Sequence, residues 1–408
     1  MPEPTERATT IAAFDIRQVT PREFADSRIG DYAFGASPQP PRSAQQREED
    51  ERWLRHLEPL RLYMTYDGGT PMAKAGVQPM TLNVRGRVVP MGGVGGVSTM
   101  PAGRRKGHVR ALMTHAFARM REDGQPVSAL YPFRESFYER LGYTGWTRPR
   151  YTTLHPADLQ PLLRLDKPGT VEHTMIADGY EAWAAFLRDY QAQTHGFALR
   201  HPDNMSSERE ENRTWLVLVR EGSAITGAMT YRITGYTQSL IARTFYARTV
   251  AAQYQLLDWV ARHADQVKEA RIRIAADVFP ELWYRDLEAP TTTNDEENWA
   301  APMGRVVSID ALSGVGAGDG EAMIEVVDEF CPWNSGVWTL RGSGGVLEVT
   351  LGGTPTASIT IQALSALLFT GTDPDAFPFR GWGTVDAATA DRLRALFPPA
   401  APFIHEEF

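Results

Sequence analysis

The chain has 408 residues, 42% hydrophobic and 23% charged, the balance of a water-soluble globular protein too long for one core, so two or three domains are expected. Its net charge of −8 argues against nucleic acid as the main partner and favours a cationic one, and the single cysteine, Cys331, excludes an intrachain disulfide or a thiolate metal cluster. No apolar run approaches the ~20 residues that span a bilayer, and residues 1–7 lack the apolar stretch of a signal peptide, so a cytoplasmic protein without membrane contact is expected.

Residues 14–19 read as a first strand, and Pro21 as a helix start. Residues 37–42 are a Pro-rich loop, and the charged stretch 43–56, which carries Trp53, is helix-prone. Residues 61–99 alternate short β-like runs with Gly and Pro, the pattern of an antiparallel meander. Its glycine run 92–96 fits either a bulged strand or a widened site. Next come Val97-Ser98-Thr99, the basic loop Arg104-Arg105-Lys106-Gly107, and an apolar helical stripe of Val109, Leu112, Met113, Ala116, Phe117 and Met120. The helix N-terminus therefore lies in the basic loop, with its backbone N–H groups and positive dipole end outward. Gly107 admits a ligand close to the backbone, and Arg105, Lys106 and Arg110 add charge, so the loop suits a pyrophosphate. Arginine pairs beside glycine are also common on plain solvated loops.

A second motif follows. Residues 127–131, between Pro126 and Pro132, read as a buried strand, and Phe137-Tyr138-Glu139-Arg140-Leu141-Gly142-Tyr143 comes next. An Arg-x-x-Gly loop opening a helix, then a strand, then Phe-Tyr-x-x-Leu-Gly-Tyr, resembles the GNAT acyltransferases. The resemblance implies a complete α/β acetyl-CoA-binding domain in the first 150 residues, with a tyrosine near the thioester.

Residues 181–190 form an amphipathic helix, and 214–219, 228–233 and 244–250 read as strands. A helix from about 252 to 267 follows almost at once, with no Arg/Gln-x-x-Gly loop before it. This order echoes the first domain without its pyrophosphate feature, so residues 151–295 read as a degenerate second GNAT-like domain. The polar stretch 291–297 looks like a linker, followed by strand-like runs at 306–310, 323–327, 336–340 and 347–351 and helices at 361–369 and 386–397. The strand–helix pattern of 357–368 resembles sterol-carrier α+β domains.

Three such segments (1–150, 151–295 and 296–408), ending in Phe408, resemble the Eis (enhanced intracellular survival) family. The implied fold is a tandem of GNAT-like domains, each a mixed sheet flanked by helices, followed by a sterol-carrier-like α+β domain. The resemblance further implies a bacterial hexamer that acetylates aminoglycoside amines at more than one position. Its acetyl-CoA contacts fall on Val97, Ser98, Thr99, Arg105, Lys106, Gly107, His108, Val109, Arg110, Phe133 and Arg134. The general acid falls on Tyr138, the general base on the Phe408 carboxylate, and the acceptor contacts on Trp53 and Glu407. Two positions depart from the family pattern: His108 replaces an aliphatic residue, and Arg134 stands where an acidic one is common.

Acetyl transfer to an amine needs a polarised carbonyl, which strand amides at 97–99 can supply, and a protonated leaving sulfur. A tyrosine of pKa ~10 can give that proton. A terminal carboxylate of pKa ~3.5 is a weak base, so it must be raised by burial, act through water, or only hold the substrate ammonium. No Gly-x-Ser-x-Gly, His-Glu-x-x-His or P-loop pattern occurs, and the nine histidines, His195 and His201 among them, show no metal-ligand spacing, so no metal is expected. Cys331 reads as structural. Two alternatives stand beside the aminoglycoside reading: a lysine or polyamine acetyltransferase, and a lipid carrier with a relic acyltransferase domain.

Overall fold

A computed structural model describes residues 14–35, 51, 54–200, 206–293 and 301–408; Trp53 lies outside them. The chain forms two compact units, one from residues 1–78 and 94–119, the other from 79–93 and 120–408.

The first unit opens with β1 (Asp15–Gln18) and the short α1 (Pro21–Asp26). A capping box starts that helix: the Thr20 hydroxyl accepts from the Glu23 amide, and the Glu23 carboxylate accepts from the Thr20 amide at 2.8 Å. The expected meander is present as three long strands, β2 (Arg61–Asp67), β3 (Thr70–Val84) and β4 (Arg87–Thr99). Gly68 and Gly69, at φ of 55° and 81°, make the tight β2–β3 turn that only left-handed residues allow. After β4 comes α2 (His108–Glu122), whose stripe of Leu112, Met113, Ala116, Phe117 and Met120 is fully buried.

In the second unit, residues 79–93 supply the rest of the β3–β4 hairpin, turning at Arg85 and Gly86. Beside β4 lies β5 (Val127–Leu130), followed in the chain by the single-turn helix α3 (Glu135–Glu139) and β6 (Thr144–Gly145). The central sheet is built from β7 (Arg150–Leu154), β8 (Thr170–Met175), β10 (Trp215–Glu221), β11 (Ala224–Ile233), β12 (Ser239–Ala247), β13 (Glu269–Ile274) and β14 (Thr291–Thr293). Its order is β14-β7-β13-β12-β11-β10-β8, parallel at β12–β13. Two helices cover its faces: α4 (Ile176–Gln191) packs with Leu216 and Leu218 of β10, and α5 (Val250–Ala261) with Val217 and Val219. The period-2 alternation of one strand thus feeds two cores. Between α4 and β10, β9 (Ala198–Arg200) leaves this sheet and pairs with Met80–Leu82 of β3.

The strand expected at 306–310 lies earlier, at β15 (Met303–Val306), and pairs with β5 and β6. Val307 and Ile309, though buried, lie in the loop that follows; burial alone made that loop read as strand. The helix expected to reach 267 ends at Ala261, and turns carry the chain to the buried Val267. The C-terminal sheet runs β18 (Val346–Leu351), β17 (Gly336–Ser343), β16 (Gly320–Val327), β19 (Ala357–Thr360) and β20 (Gly383–Thr384), with β16 and β19 parallel. Helix α6 (Ile361–Thr370) is buried nearly all round and shares one core with β15 and the C-terminal sheet; α7 (Ala387–Leu396) packs on β16.

A buried ion pair locks these parts. Arg305 on β15 meets Asp328 at 2.5 Å, donates to the Leu141 carbonyl, and contacts the Cys331 sulfur at 3.0 Å. The amides of Phe330 and Cys331 and the Asn334 side chain donate to Asp328, so both buried charges are fully bonded. Cys331 is buried and its thiol is pushed up to about 12, chiefly by that burial, which suits an inert structural role. Among the described residues, no helix is long and apolar enough to cross a membrane, and no group of three His, Cys, Asp or Glu could hold a metal ion.

Candidate active site

The first unit carries the basic loop. β4 ends at Thr99, Pro101–Gly103 make a short turn, and Arg105 (φ 61°) and Gly107 (φ 91°) both take left-handed backbone before α2 begins. A Cβ at Gly107 would be strained at that φ and would also meet the Phe14 ring at 3.3 Å. The first intrahelical bond of α2 runs from the Ala111 amide to the Gly107 carbonyl, so the amides of residues 108–110 stand ahead of it at the helix end. Arg105, Lys106 and Arg110 are exposed there, and Arg105 and Lys106 form no ion pair among the described residues. Helix amides, a positive dipole end and flexible cations together fit a multiply charged anion such as a pyrophosphate.

His108 faces the other way. It is buried, hydrogen-bonds through Nδ1 with Thr65 at 3.0 Å, and meets the Phe14 ring edge-on at 5.0 Å. Burial holds its imidazole below the usual range, so it is neutral and fills the core place of an aliphatic residue. Of His108, only the backbone amide is at the helix start. Ser98 is buried with its hydroxyl on the Gly96 carbonyl, and Val97 and Thr99 are half-buried along β4.

The second unit carries the tyrosine and the tail. Tyr138 on α3 is buried in an aromatic group, with Phe133, Phe137 and Tyr143 at ring distances of 5.7, 5.1 and 6.2 Å. Its phenol has no hydrogen-bond partner among the described residues, and burial pushes it above the usual tyrosine range, so it keeps its proton at neutral pH. Tyr143 contacts Ser128 at 2.7 Å, and Ser128 donates to the Gly92 carbonyl at 2.8 Å, which ties this wall to β4. Phe133 and Arg134 are exposed, and Arg134 immediately precedes α3 without capping it by its side chain.

Terminal residues are usually frayed; these are docked. Phe403 and Ile404 are buried, and the Phe408 ring packs on Tyr131 at 5.6 Å. A Cβ on Gly93 would come within 2.9 Å of that ring and 2.6 Å of the Met80 sulfur, while one on Gly92 would strike Met120. Gly93 therefore clears space above β4 for the Phe408 ring, and Gly92 makes room for Met120. Gly96, at φ 63°, bends the same strand. Glu407 pairs with Arg243 at 2.7 Å and Glu406 with Arg200 at 3.5 Å.

Tyr131, Arg200, Arg243 and Arg273 were not singled out by sequence. Tyr131 donates to the Glu406 carbonyl at 3.1 Å. The one available signal was a tyrosine closing a buried strand, whose hydroxyl must find a partner. The arginines sit on three separate strands, β9, β12 and β13, and only the fold gathers them.

A family of acetyltransferase (GNAT) domains matches residues 15–145, and a sterol carrier protein domain matches residues 310–405. A Streptomyces avermitilis protein described as an uncharacterized N-acetyltransferase is 23% identical over 380 residues, covering 88% of each chain. Among solved structures, a GCN5-related N-acetyltransferase from Anabaena variabilis is similar at a TM-score of 0.81 and 18% identity, covering 97% of this chain and 100% of that one. One from Kribbella flavida gives 0.80 at 22% identity, covering 97% and 98%. Eis1 from Mycobacterium abscessus gives 0.75 at 19% identity, covering 97% and 100%. The chain is an N-acetyltransferase of the GNAT type, with its GNAT domain at residues 15–145, a central mixed sheet flanked by helices, and a sterol-carrier domain at residues 310–405.

Proposed function

We propose that the protein moves the acetyl group of acetyl-CoA to amines of a small cationic acceptor, with aminoglycosides as the substrate class, at more than one position. The observation that carries the cofactor half is the left-handed Arg105–Gly107 loop at the start of α2, whose amides and cations suit the CoA pyrophosphate. The likeness to Eis1 and the acidic net charge support the acceptor class. The same resemblance leads us to propose a hexamer, which light scattering tests.

Val97, Ser98 and Thr99 present strand amides to the thioester carbonyl. The neutral amine attacks the carbonyl carbon, a C–N bond forms, and the C–S bond breaks. Tyr138 gives its proton to the departing sulfur, and the attacking nitrogen loses one to the Phe408 carboxylate, directly or through water. The surroundings that hold Tyr138 protonated also disfavour a free thiolate, so the proton and the sulfur meet under the same penalty. Phe133 and Arg134 border the acyl carrier, and Glu407 the acceptor. Since Glu407 is paired with Arg243, an ammonium must share or displace that guanidinium. The sterol-carrier domain is structural in this reading, because α6 fills its interior with its own side chains.

Turnover of acetyl-CoA against aminoglycosides, polyamines and lysine peptides tests the acceptor class, and preference for the peptides would overturn it. Tyr138→Phe should lower kcat about 100-fold at unchanged acetyl-CoA affinity, the scale of a lost general acid. Wild-type turnover in that variant would remove Tyr138 from the reaction.

A further inference from the structure

The tail is held by its backbone as well as by its side chains. Arg273, buried on β13, donates through Nη2 to the Ile404 carbonyl at 2.9 Å and through Nη1 to the His405 carbonyl at 3.0 Å. Its guanidinium also lies 5.2 Å from the Phe403 ring. Arg200 donates to the Glu407 carbonyl, and Tyr131 to that of Glu406. Four consecutive carbonyls, 404 to 407, are thus each met by a side chain from the body of the protein. His405 completes the lock: it stacks on Phe197 at 4.9 Å and 4°, and its Nδ1 lies 2.8 Å from the Tyr246 hydroxyl. Of these anchors only Arg273 spans two carbonyls with one rigid fork, a geometry that lysine cannot copy.

We propose that Arg273 is a positioning residue for acetyl transfer: by clamping the carbonyls of Ile404 and His405 it fixes the segment that carries Phe408. The inference rests on the proposed role of the Phe408 carboxylate. Arg273 itself touches no reacting atom. Its effect is on where the carboxylate stands, so its loss lowers kcat and leaves acetyl-CoA binding alone.

The test uses the full chain with Arg273→Gln and Arg273→Lys, beside a Phe408 deletion. Release of Phe408 by carboxypeptidase A reads tail docking, and kcat and KM for acetyl-CoA are read on whichever acceptor turns over best in the panel above. Arg273→Gln should release Phe408 at least ~10-fold faster and lower kcat about 10-fold, with KM for acetyl-CoA within about twofold of wild type. Arg273→Lys should fall between the two, and it provides the same reading if the Gln variant does not fold, because it keeps the buried charge and loses the fork. Wild-type kcat in both variants overturns the inference, whatever the rate of Phe408 release. If deleting Phe408 is itself silent, the carboxylate role fails; if deletion is costly and the Arg273 variants are silent, only this inference fails.

Discussion

Between β4 and α2 the chain spends eight residues, 100–107, whereas between β12 and α5 it spends two, Arg248 and Thr249. Both connections deliver a strand into the N-terminus of a helix that packs on its own sheet. In the first, left-handed Arg105 and Gly107 swing the chain wide, and Arg105 and Lys106 form no ion pair among the described residues. In the second, Thr249 caps the helix by accepting from the Ala252 amide at 3.0 Å. The Glu221 carboxylate then accepts from the hydroxyls of Thr249 at 2.5 Å and Thr226 at 2.9 Å, beside that helix start. A resident anion thus occupies the place an incoming one would take. The same helix-end electrostatics serve ligand binding in one sheet and internal stability in the other, and the difference is whether the chain fills the position itself.

Charge reversal of the open turn should have the largest effect. Arg105→Glu with Lys106→Glu removes two charge-assisted contacts, each of about 1.5–3 kcal/mol, and adds repulsion, so KM for acetyl-CoA should rise at least ~100-fold. Thermal melting should barely move, since both side chains are exposed. An unchanged KM would erase the distinction between the turns. Gly107→Ala should act less strongly: the left-handed φ costs about 1–2 kcal/mol, and the Phe14 ring must give way. About a 10-fold loss of acetyl-CoA affinity is expected by titration, and full affinity would show that the loop conformation does not matter.

His108 has the smallest expected effect. Its folded pKa is depressed, so the unfolded chain takes up the proton first. The stability it contributes is complete above the ordinary imidazole pKa of ~6.5 and is lost as the pH falls below it. His108→Leu should flatten that part of the acid limb in urea titrations at stepped pH. An identical acid limb in the variant would mean that His108 is not held neutral.

Much of this was legible in sequence because it depended on local chemistry. The α2 stripe, the Arg-x-x-Gly loop and the absence of any such loop before α5 follow from spacing and residue type, and each appears where it was read. β15 was misplaced because strand and buried loop look alike when every position is apolar; what made 303–306 the strand was having β5 on one side and β6 on the other. The need for glycine at position 93 could not be read from sequence, since the Phe408 ring above it lies 315 positions away. The arginine clamp on the tail was invisible for the same reason: Arg243 and Arg273 lie on the central sheet and Arg200 on β9, which pairs with β3, and all three meet the tail only in the folded chain.

The most direct test of the account is calorimetric titration of the full chain with acetyl-CoA. One site per chain is predicted, abolished by the Arg105→Glu, Lys106→Glu variant and untouched by Glu221→Gln with Thr249→Ala, which opens the second helix end without giving it a loop or cations. Two sites per wild-type chain, or a site that survives reversal of the first loop, would contradict the account.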